Sequence, residues 1–228
     1  MALTAAELTV VWLSLKVAMV ATLVSAVPAI AVAWLLARRR FWGRTALNVL
    51  VHIPLVVPPV VTGYFLLRVL GRRGLIGEWL DQSLGLQFSF RWTGAAVAAA
   101  VMAFPLVVRA IRLGFEGVDR KVEESAATLG ASPWRVFLTI TLPLALPGLA
   151  AGLLIGFAKA LGEFGATITF VSNIPGETQT LALAIYTQLE RPGGEDAATR
   201  LVWLSVALSV LALVVSELMT RGRQRIDT

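Results

Sequence analysis

Residues 117–143 read GVDRKVEESAATLGASPWRVFLTITLP and lie between two long apolar segments. This stretch predicts two short helices separated by a break. Asp119 is placed to cap the first helix, and Gly130 ends that helix as a C-cap glycine does. Ser132 is a favourable N-cap for a second helix, and Pro133 occupies its first helical position. The pattern therefore predicts a compact two-helix loop.

The second predicted helix of this loop is amphipathic. Trp134, Phe137 and Leu138 share one face beside Arg135. On a segment that faces water, an apolar face of this kind usually indicates a protein partner. The alternative interpretation is an amphipathic hairpin that lies on the membrane surface.

The composition of the whole chain indicates a membrane protein. Of its 228 residues, 57% are hydrophobic and only 15% are charged. A soluble domain of this size has about 25% charged residues and no interior large enough for so much apolar surface. There is no cysteine, which excludes disulfides and thiolate metal sites. The net charge is +6. In a membrane protein, excess basic residues usually set the topology and contact lipid headgroups, rather than bind nucleic acid.

The fold class predicted from the apolar segments is all-α, with five transmembrane helices in a single domain that covers residues 1–228. A helix needs about 20 mostly apolar residues to cross the hydrocarbon core. The fourth span is interrupted by the sequence Gly162-Glu163-Phe164-Gly165, and a short apolar segment at 181–189 is expected to lie at the outer surface. The predicted spans are residues 10–37, 47–67, 94–113, 144–171 and 201–220.

The distribution of basic residues predicts the orientation. With the N-terminus outside, twelve Lys and Arg residues fall on cytoplasmic segments and six on outer segments. Because positive charge is enriched on cytoplasmic loops, this bias favours an N-out, C-in topology. The loop at 117–143 then faces the cytoplasm.

On these residues the chain resembles the permease family of ATP-binding-cassette (ABC) importers, type I. Their loop signature is Glu-Ala-Ala, three residues, Gly, nine residues, then Ile, one residue and Leu-Pro. Here Glu124-Ser125-Ala126 precedes Gly130 at that spacing, and Ile140-Thr141-Leu142-Pro143 closes the motif, with Ser125 in place of the first alanine. The resemblance implies that residues 117–143, the coupling loop, dock on a cytoplasmic ATPase. The coupling residues expected from it are Glu124, Ala126, Gly130, Ser132, Trp134, Arg135 and Phe137.

The same resemblance implies an assembly and a division of labour. The chain contains no Gly-rich nucleotide loop of the Walker type, so ATP and Mg are expected on a partner chain, and this chain binds no cofactor. It is expected to be a non-catalytic subunit in a bacterial or archaeal plasma membrane. The implied partners are a second copy of the chain, two ABC ATPase subunits and an extracytoplasmic oxyanion-binding protein. Two other classes of protein are the alternatives: a stand-alone secondary anion transporter or channel, and a membrane scaffold. Neither of them needs a coupling loop.

The implied substrate is an oxyanion. Three stretches resemble the molybdate branch of the family, and sulfate or thiosulfate permeases are near relatives that are usually longer. The resemblance therefore implies molybdate, with tungstate as a second substrate and sulfate as the alternative. The stretches are residues 55–64, 71–78 and 162–180.

Proline and glycine residues in the second predicted span suggest a translocation pathway. Pro54, Pro58 and Pro59, followed by Gly63, interrupt its backbone hydrogen bonds. Irregular backbone at membrane depth persists only where protein or water covers it. One interpretation is a broken helix that lines the pathway, and the other is a packing kink without ligand contact.

The fourth span carries further candidate pathway residues. Glu163 is an ionisable group inside the membrane, and Lys159 lies one turn earlier. A carboxylate is a poor ligand for an anion, so Glu163 is interpreted as a gate or structural partner. Thr167 and Thr169 offer hydroxyl groups to an anion, although back-bonding to their own helix is equally expected.

The remaining polar residues carry weaker signals. His52 is the sole histidine, and it is interpreted as a packed, hydrogen-bonded residue rather than a metal ligand. Arg109 and Arg112 are interpreted as interfacial anchors at the inner end of the third span. The sequence predicts no metal site.

Overall fold

The computed structural model describes residues 4–224, with side chains described up to Ala212 and at Val214 in the last helix. Every regular element within residues 4–224 is helical, and no strand occurs there. A π-helical turn at Phe137–Thr141 joins the helices Pro133–Val136 and Leu142–Leu161. The helices are α1 Ala5–Arg38, α2 Arg44–Val56, α3 Pro59–Leu70, α4 Gly77–Leu84, α5 Trp92–Glu116, α6 Arg120–Thr128, α7 Pro133–Val136, α8 Leu142–Leu161, α9 Gly165–Val171, α10 Leu181–Leu189 and α11 Glu195–Gln224.

Helix α1 begins five residues before the predicted first span because its N-terminus is capped. The Thr4 side chain accepts a hydrogen bond from the Glu7 amide, and the Glu7 carboxylate accepts one from the Thr4 amide. This reciprocal capping box satisfies amide groups that otherwise lack partners at a helix start. Pro28 lies inside α1, and the helix continues through it to Arg38.

The second predicted span is two helices rather than one. Helices α2 and α3 are long and apolar enough to cross a membrane only when taken together, and their axes differ by 112°. The break falls at Val57 and Pro58, where both residues have extended backbone. Pro59 then occupies the first position of α3, where the missing amide hydrogen costs nothing. The broken helix expected from the prolines is present.

The second helix of the coupling loop is not separate from the fourth span, which corrects the predicted boundary at residue 144. Helix α7, the π turn and α8 form one helix, Pro133–Leu161, of 29 residues. The Leu142 amide bonds to the Phe137 carbonyl, one residue farther back than in an α-helix. This local widening directly precedes Pro143, which cannot donate a hydrogen bond. The helix then ends before Glu163, as the sequence predicted, and α9 follows.

Helices α1, α5 and α8 form the centre of the molecule. The crossing of α5 and α8 depends on two glycines. A Cβ on Gly148 would lie 2.5 Å from the Gly114 Cα, so neither position has room for a side chain. Small residues let helix backbones approach closely in a membrane, where dispersion rather than hydrophobic burial drives packing. Buried alanines and valines of α1 and α5 fill the remaining contacts.

The bundle has two distinct ends. At the loop end, Arg38 of α1 donates a hydrogen bond to the Val118 carbonyl at the start of the coupling loop. At the far end, Arg200 of α11 contacts Glu7 of α1, and the Ser14 hydroxyl accepts a hydrogen bond from the Leu181 amide of α10. Helix α10 covers the short segment predicted at 181–189.

Three helices in the described part of the chain are long and apolar enough to span a membrane, and the α2–α3 pair makes a fourth. The predicted fifth span, 201–220, falls within α11, most of whose second half lies outside the described side chains. The count of five spans and the N-out, C-in orientation stay predictions.

Candidate functional site

The first half of the coupling loop is a capped helix with a sharp C-terminal stop. Asp119 accepts a hydrogen bond from the Lys121 amide, so it caps α6 as predicted. Gly130 adopts φ +86°, a left-handed conformation that favours glycine. Its amide donates to the Ala127 carbonyl, and the Ala131 amide donates to the Ala126 carbonyl. This pair of bonds is a Schellman motif, which satisfies the last carbonyls of α6.

The second half of the loop begins as predicted. The Ser132 hydroxyl accepts a hydrogen bond from the Arg135 amide at 3.4 Å, and Pro133 is the first helical residue. The predicted apolar face, however, divides in two. Phe137 packs inward, with its ring 5.7 Å from Trp34 and 5.5 Å from Trp134, whereas Trp134 itself is 68% exposed. Phe137 therefore anchors the loop, and Trp134 is presented at the surface.

The predicted coupling residues form an exposed apex. Ala126 is half-buried and Phe137 is the anchor, and the other five are exposed. Leu129, which the sequence analysis did not single out, is 89% exposed at the turn between the two helices. An exposed leucine and tryptophan on one polar loop are the kind of apolar anchors that a protein partner covers. The exposed predicted residues are Glu124, Gly130, Ser132, Trp134 and Arg135.

The loop is tied to the bundle by an ion pair that sequence reasoning missed. Arg38 at the end of α1 lies 3.2 Å from the Glu123 carboxylate, and the Thr141 hydroxyl donates to the same carboxylate. The Arg38 side chain is only 9% exposed and that of Glu123 20%. One carboxylate thus connects α6, α1 and the π turn. No local sequence signal pairs residues 85 positions apart.

The predicted pathway residues of α3 pack against α9. A Cβ on Gly63 would lie 2.6 Å from the Ala166 carbonyl oxygen, and a Cβ on Gly165 would lie 2.8 Å from the Pro59 Cβ. Each glycine therefore permits the close approach of the other helix. Pro58, at the bend itself, is exposed. The structure brings α3 and α9 together, and the role of both in a pathway stays a prediction.

Glu163 is the most deeply buried carboxylate of the predicted set, at 3% exposure. It accepts hydrogen bonds from the Lys159 ammonium at 2.5 Å and from the Ala166 amide at 3.1 Å. The second bond places the negative charge at the N-terminus of α9, where the helix dipole favours it. Both contacts fit the interpretation of Glu163 as a structural partner.

The two threonines of α9 differ in their surroundings. Thr167 is 1% exposed, whereas Thr169 is half-buried. The Thr169 hydroxyl donates to the Gly165 carbonyl at 2.9 Å, which is the back-bonding that competes with anion contact. Their place in the pathway stays a prediction.

A basic cleft of about 320 Å³ opens between α2 and α5. His52 hydrogen-bonds through its Nδ1 to the Asn48 carbonyl at 2.7 Å, as expected for a packed histidine. Arg112 is paired with Glu116 at 2.8 Å, and Arg109 lines the same cleft. Within residues 4–224 no group of three potential metal ligands occurs.

The chain resembles known proteins along nearly its whole length. The family model "Binding-protein-dependent transport system inner membrane component" matches residues 11–227. The chain is 57% identical over 226 residues to the molybdenum transport system permease protein ModB of Escherichia coli K12, with 99% of each chain covered. It is 55% identical to ModB of Haemophilus influenzae over 219 residues, 96% of each chain. The sulfate transport system permease protein CysT of E. coli K12 is 35% identical over 92% of this chain and 75% of its own.

Solved structures with the same arrangement of helices have much lower sequence identity. A bacterial ABC transporter involved in the import of the acidic polysaccharide alginate superposes with a TM-score of 0.77 at 17% identity, covering 97% of this chain and 81% of its own. The MetNI methionine ABC transporter gives a TM-score of 0.71 at 18% identity, covering 93% and 94%. This likeness identifies the fold as that of ABC importer permeases. The chain belongs to the family of binding-protein-dependent transport system inner membrane components, multi-pass membrane proteins that serve as transport subunits rather than as enzymes.

Proposed function

We propose that this chain is the membrane-spanning permease subunit of an ATP-driven molybdate importer, with tungstate as a second substrate. The observation that carries the proposal is 57% identity to a ModB protein over 226 residues, with 99% of each chain covered. The identity to a sulfate permease is only 35%, and that relative is longer. Sulfate or thiosulfate import is therefore the second candidate.

The proposed complex contains two copies of this chain, two cytoplasmic ATPase subunits of the ModC kind and a ModA-like binding protein outside the membrane. The ATPase subunits hold the ATP and Mg. The topology is five spans with the N-terminus outside, in a bacterial or archaeal inner membrane. The excess of Lys and Arg on the loop-end segments supports this orientation.

Coupling in this proposal is mechanical. The exposed apex of the coupling loop, with Glu124, Leu129 and Trp134, docks on the ATPase. When ATP brings the two ATPase subunits together, the docked loops move with them, and the spans rock between inward-open and outward-open states. Because α7 continues into α8 without a break, a displacement at Trp134 moves the whole 29-residue helix. The Arg38–Glu123 contact carries the same displacement to α1.

The pathway in this proposal lies along the contact of α3 and α9. The bend at Pro58 and Pro59 interrupts the helix in the middle of a span, and Gly63 sits on the adjacent turn. Thr167 and Thr169 supply neutral donors, which suit an ion that must leave as well as enter. Glu163 holds the start of α9 in place rather than contacting the anion.

The test is uptake of labelled molybdate into vesicles that contain the reconstituted complex. We expect uptake that requires ATP, is competed by tungstate and is little affected by sulfate. Competition by sulfate at equal concentration would favour the second candidate. Full-rate uptake by this chain without the ATPase would contradict an ATP-driven importer and indicate a channel or secondary transporter.

A further inference from the structure

Two cavities adjoin at the loop end of the bundle, and they differ in the number of charged residues in their linings. One is an apolar groove between α1 and the start of α7, and the other is a polar cleft between α1 and α6. They share four lining residues, so the two cavities lie side by side. The shared residues are Trp34, Arg39, Pro133 and Phe137.

The apolar groove has a volume of about 660 Å³ and follows α1. Its lining runs from Val27 to Leu35 on that helix, with the exposed Trp134 on the opposite wall. From Val27 to Arg39 the helix rises about 18 Å at 1.5 Å per residue, which is the length scale of a lipid acyl chain. Helix α1 is long and apolar enough to span a membrane, so we expect hydrocarbon beside the groove along most of its length.

The polar cleft has a volume of about 350 Å³ and three arginines in its lining, against two glutamates. Glu123 is already engaged by Arg38 and Thr141, which leaves Arg39 and Arg120 facing Glu124. The cleft therefore retains an excess of positive charge. The three arginines are Arg38, Arg39 and Arg120.

Arg38, a lining residue of the cleft, carries one donor without a partner in the described part of the chain. The Arg38 Nε is buried and has no hydrogen-bond partner among the described residues, although the same guanidinium bonds Val118 and Glu123 through its Nη2. A buried donor without a partner is costly, so such atoms usually have an unseen partner. Carboxylate and phosphate oxygens both match the geometry of a guanidinium, so a lipid phosphate suits a cleft lined by arginines.

We propose that the joined cavities bind one acidic phospholipid, with an acyl chain in the groove and the phosphate in the cleft. A basic pocket at the end of a membrane-spanning helix is the site that acidic headgroups occupy. Trp34 lines both cavities, and tryptophan is a residue that favours the lipid–water interface. The bound lipid braces the coupling loop against α1, because its phosphate lies between Arg39 and the α6 side of the cleft. Free phosphate would leave the apolar groove unfilled, and an apolar peptide would leave the arginines of the cleft without an anion.

The headgroup half of the site is tested with Arg39→Ala, and Arg40→Ala serves as the matched control. Arg40 is the next residue and is exposed, but it lines neither cavity. The full chain is purified in detergent, titrated with phosphatidylglycerol or phosphatidylcholine, and the bound lipid is counted by native mass spectrometry. We expect one tightly held phosphatidylglycerol per chain, and about fivefold weaker retention in Arg39→Ala, as one lost arginine contact implies. Arg40→Ala should retain lipid as the parent does.

The acyl half is tested with Ala31→Trp, which fills the groove, against Val24→Trp on the same helix. Ala31 lines the groove, whereas Val24 is 62% exposed outside it. We expect Ala31→Trp alone to release the lipid while both variants remain monodisperse. Equal retention in Arg39→Ala and Arg40→Ala overturns the proposal. So does displacement of the lipid by glycerol phosphate alone, or loss of the dimer rather than of lipid in Ala31→Trp. These readouts need no ATPase, so they stand apart from the test of transport.

Discussion

The Glu123 carboxylate connects α6, α1 and the π turn, and the contact with Arg38 depends on its negative charge. Glu123→Gln keeps the size of the side chain but removes the attraction to Arg38, whose side chain is 9% exposed. Breaking a fully buried pair costs about 3–5 kcal/mol, and partial exposure reduces this to roughly 1–3 kcal/mol here. We expect a lower midpoint of thermal unfolding in detergent.

The neighbouring residue is the control for that measurement. Glu124 is exposed and makes no side-chain hydrogen bond or ion pair in the described part of the chain, so Glu124→Gln should unfold at the same temperature as the parent. It should instead weaken binding of the ATPase, measured by pull-down. If the two variants were equally stable, the ion pair with Arg38 would not be holding the loop.

Gly63 shows how little space separates α3 from α9. In Gly63→Ala the new methyl group would lie 2.6 Å from the backbone oxygen of Ala166, which cannot rotate away. The helices must therefore separate, and overpacking of this kind costs typically 1–3 kcal/mol. We expect a lower unfolding temperature than for Gly162→Ala, where the nearest atom to the new Cβ is 3.9 Å away. Unchanged stability in Gly63→Ala would mean that the contact is looser than the structure has it.

At the scale of elements, the sequence predicts best where the signal is local. The caps at Asp119 and Ser132, the stop at Gly130 and the short helix α10 all depend on residues within one or two turns, and all are found. The interruption around Glu163 is found for the same reason, because glycines on both sides weaken a helix locally.

The sequence fails to predict where one helix continues into the next and where a helix changes direction. The fourth span was predicted to begin at residue 144, yet one helix with a π turn runs from Pro133 to Leu161. The prolines of the second span predicted a break but could not predict a 112° change of direction. That angle depends on where α3 packs against α9, which no local pattern encodes.

The turn at Gly130 allows a test of the coupling loop as a unit. Gly130→Asp forces a side chain into a backbone with φ +86°, at a cost of roughly 1–2 kcal/mol, and alters the path of the exposed loop. No atom lies within 4 Å of the added Cβ, so the protein should still fold and insert. We expect ATP hydrolysis to continue in the reconstituted complex while molybdate uptake per ATP falls several-fold.

Gly85→Asp is the matched control for that loop variant. Gly85 has φ +64° and equally open surroundings, but it follows α4 outside the coupling loop. It carries a comparable backbone strain, so its uptake per ATP should stay at the parent value. If the Gly130→Asp complex kept the parent's uptake per ATP, that result would count against docking through this loop.

The whole molecule is organised by contacts between residues far apart in the chain. Arg38 with Glu123 at one end, and Glu7 with Arg200 at the other, fix α1 as the strut between the two ends. Apolar periodicity places such residues in helices but does not pair them. The identity of each pair emerges only when α1 packs beside α5 and α11, so the proposed lipid site at the loop end was equally invisible in the sequence.

Orientation is the property of the whole molecule on which the coupling role depends. The chain has no cysteine, so single Ser→Cys variants report on one position each. Ser125 is exposed on α6 at the loop end, and Ser83 is exposed on α4, in the connection between α3 and the start of α5. With the N-terminus outside, a membrane-impermeant maleimide should label Ser83→Cys in intact cells and Ser125→Cys only after permeabilisation. Because the loop can reach an ATPase only from the cytoplasmic side, labelling of Ser125→Cys in intact cells would contradict both the topology and the proposed coupling.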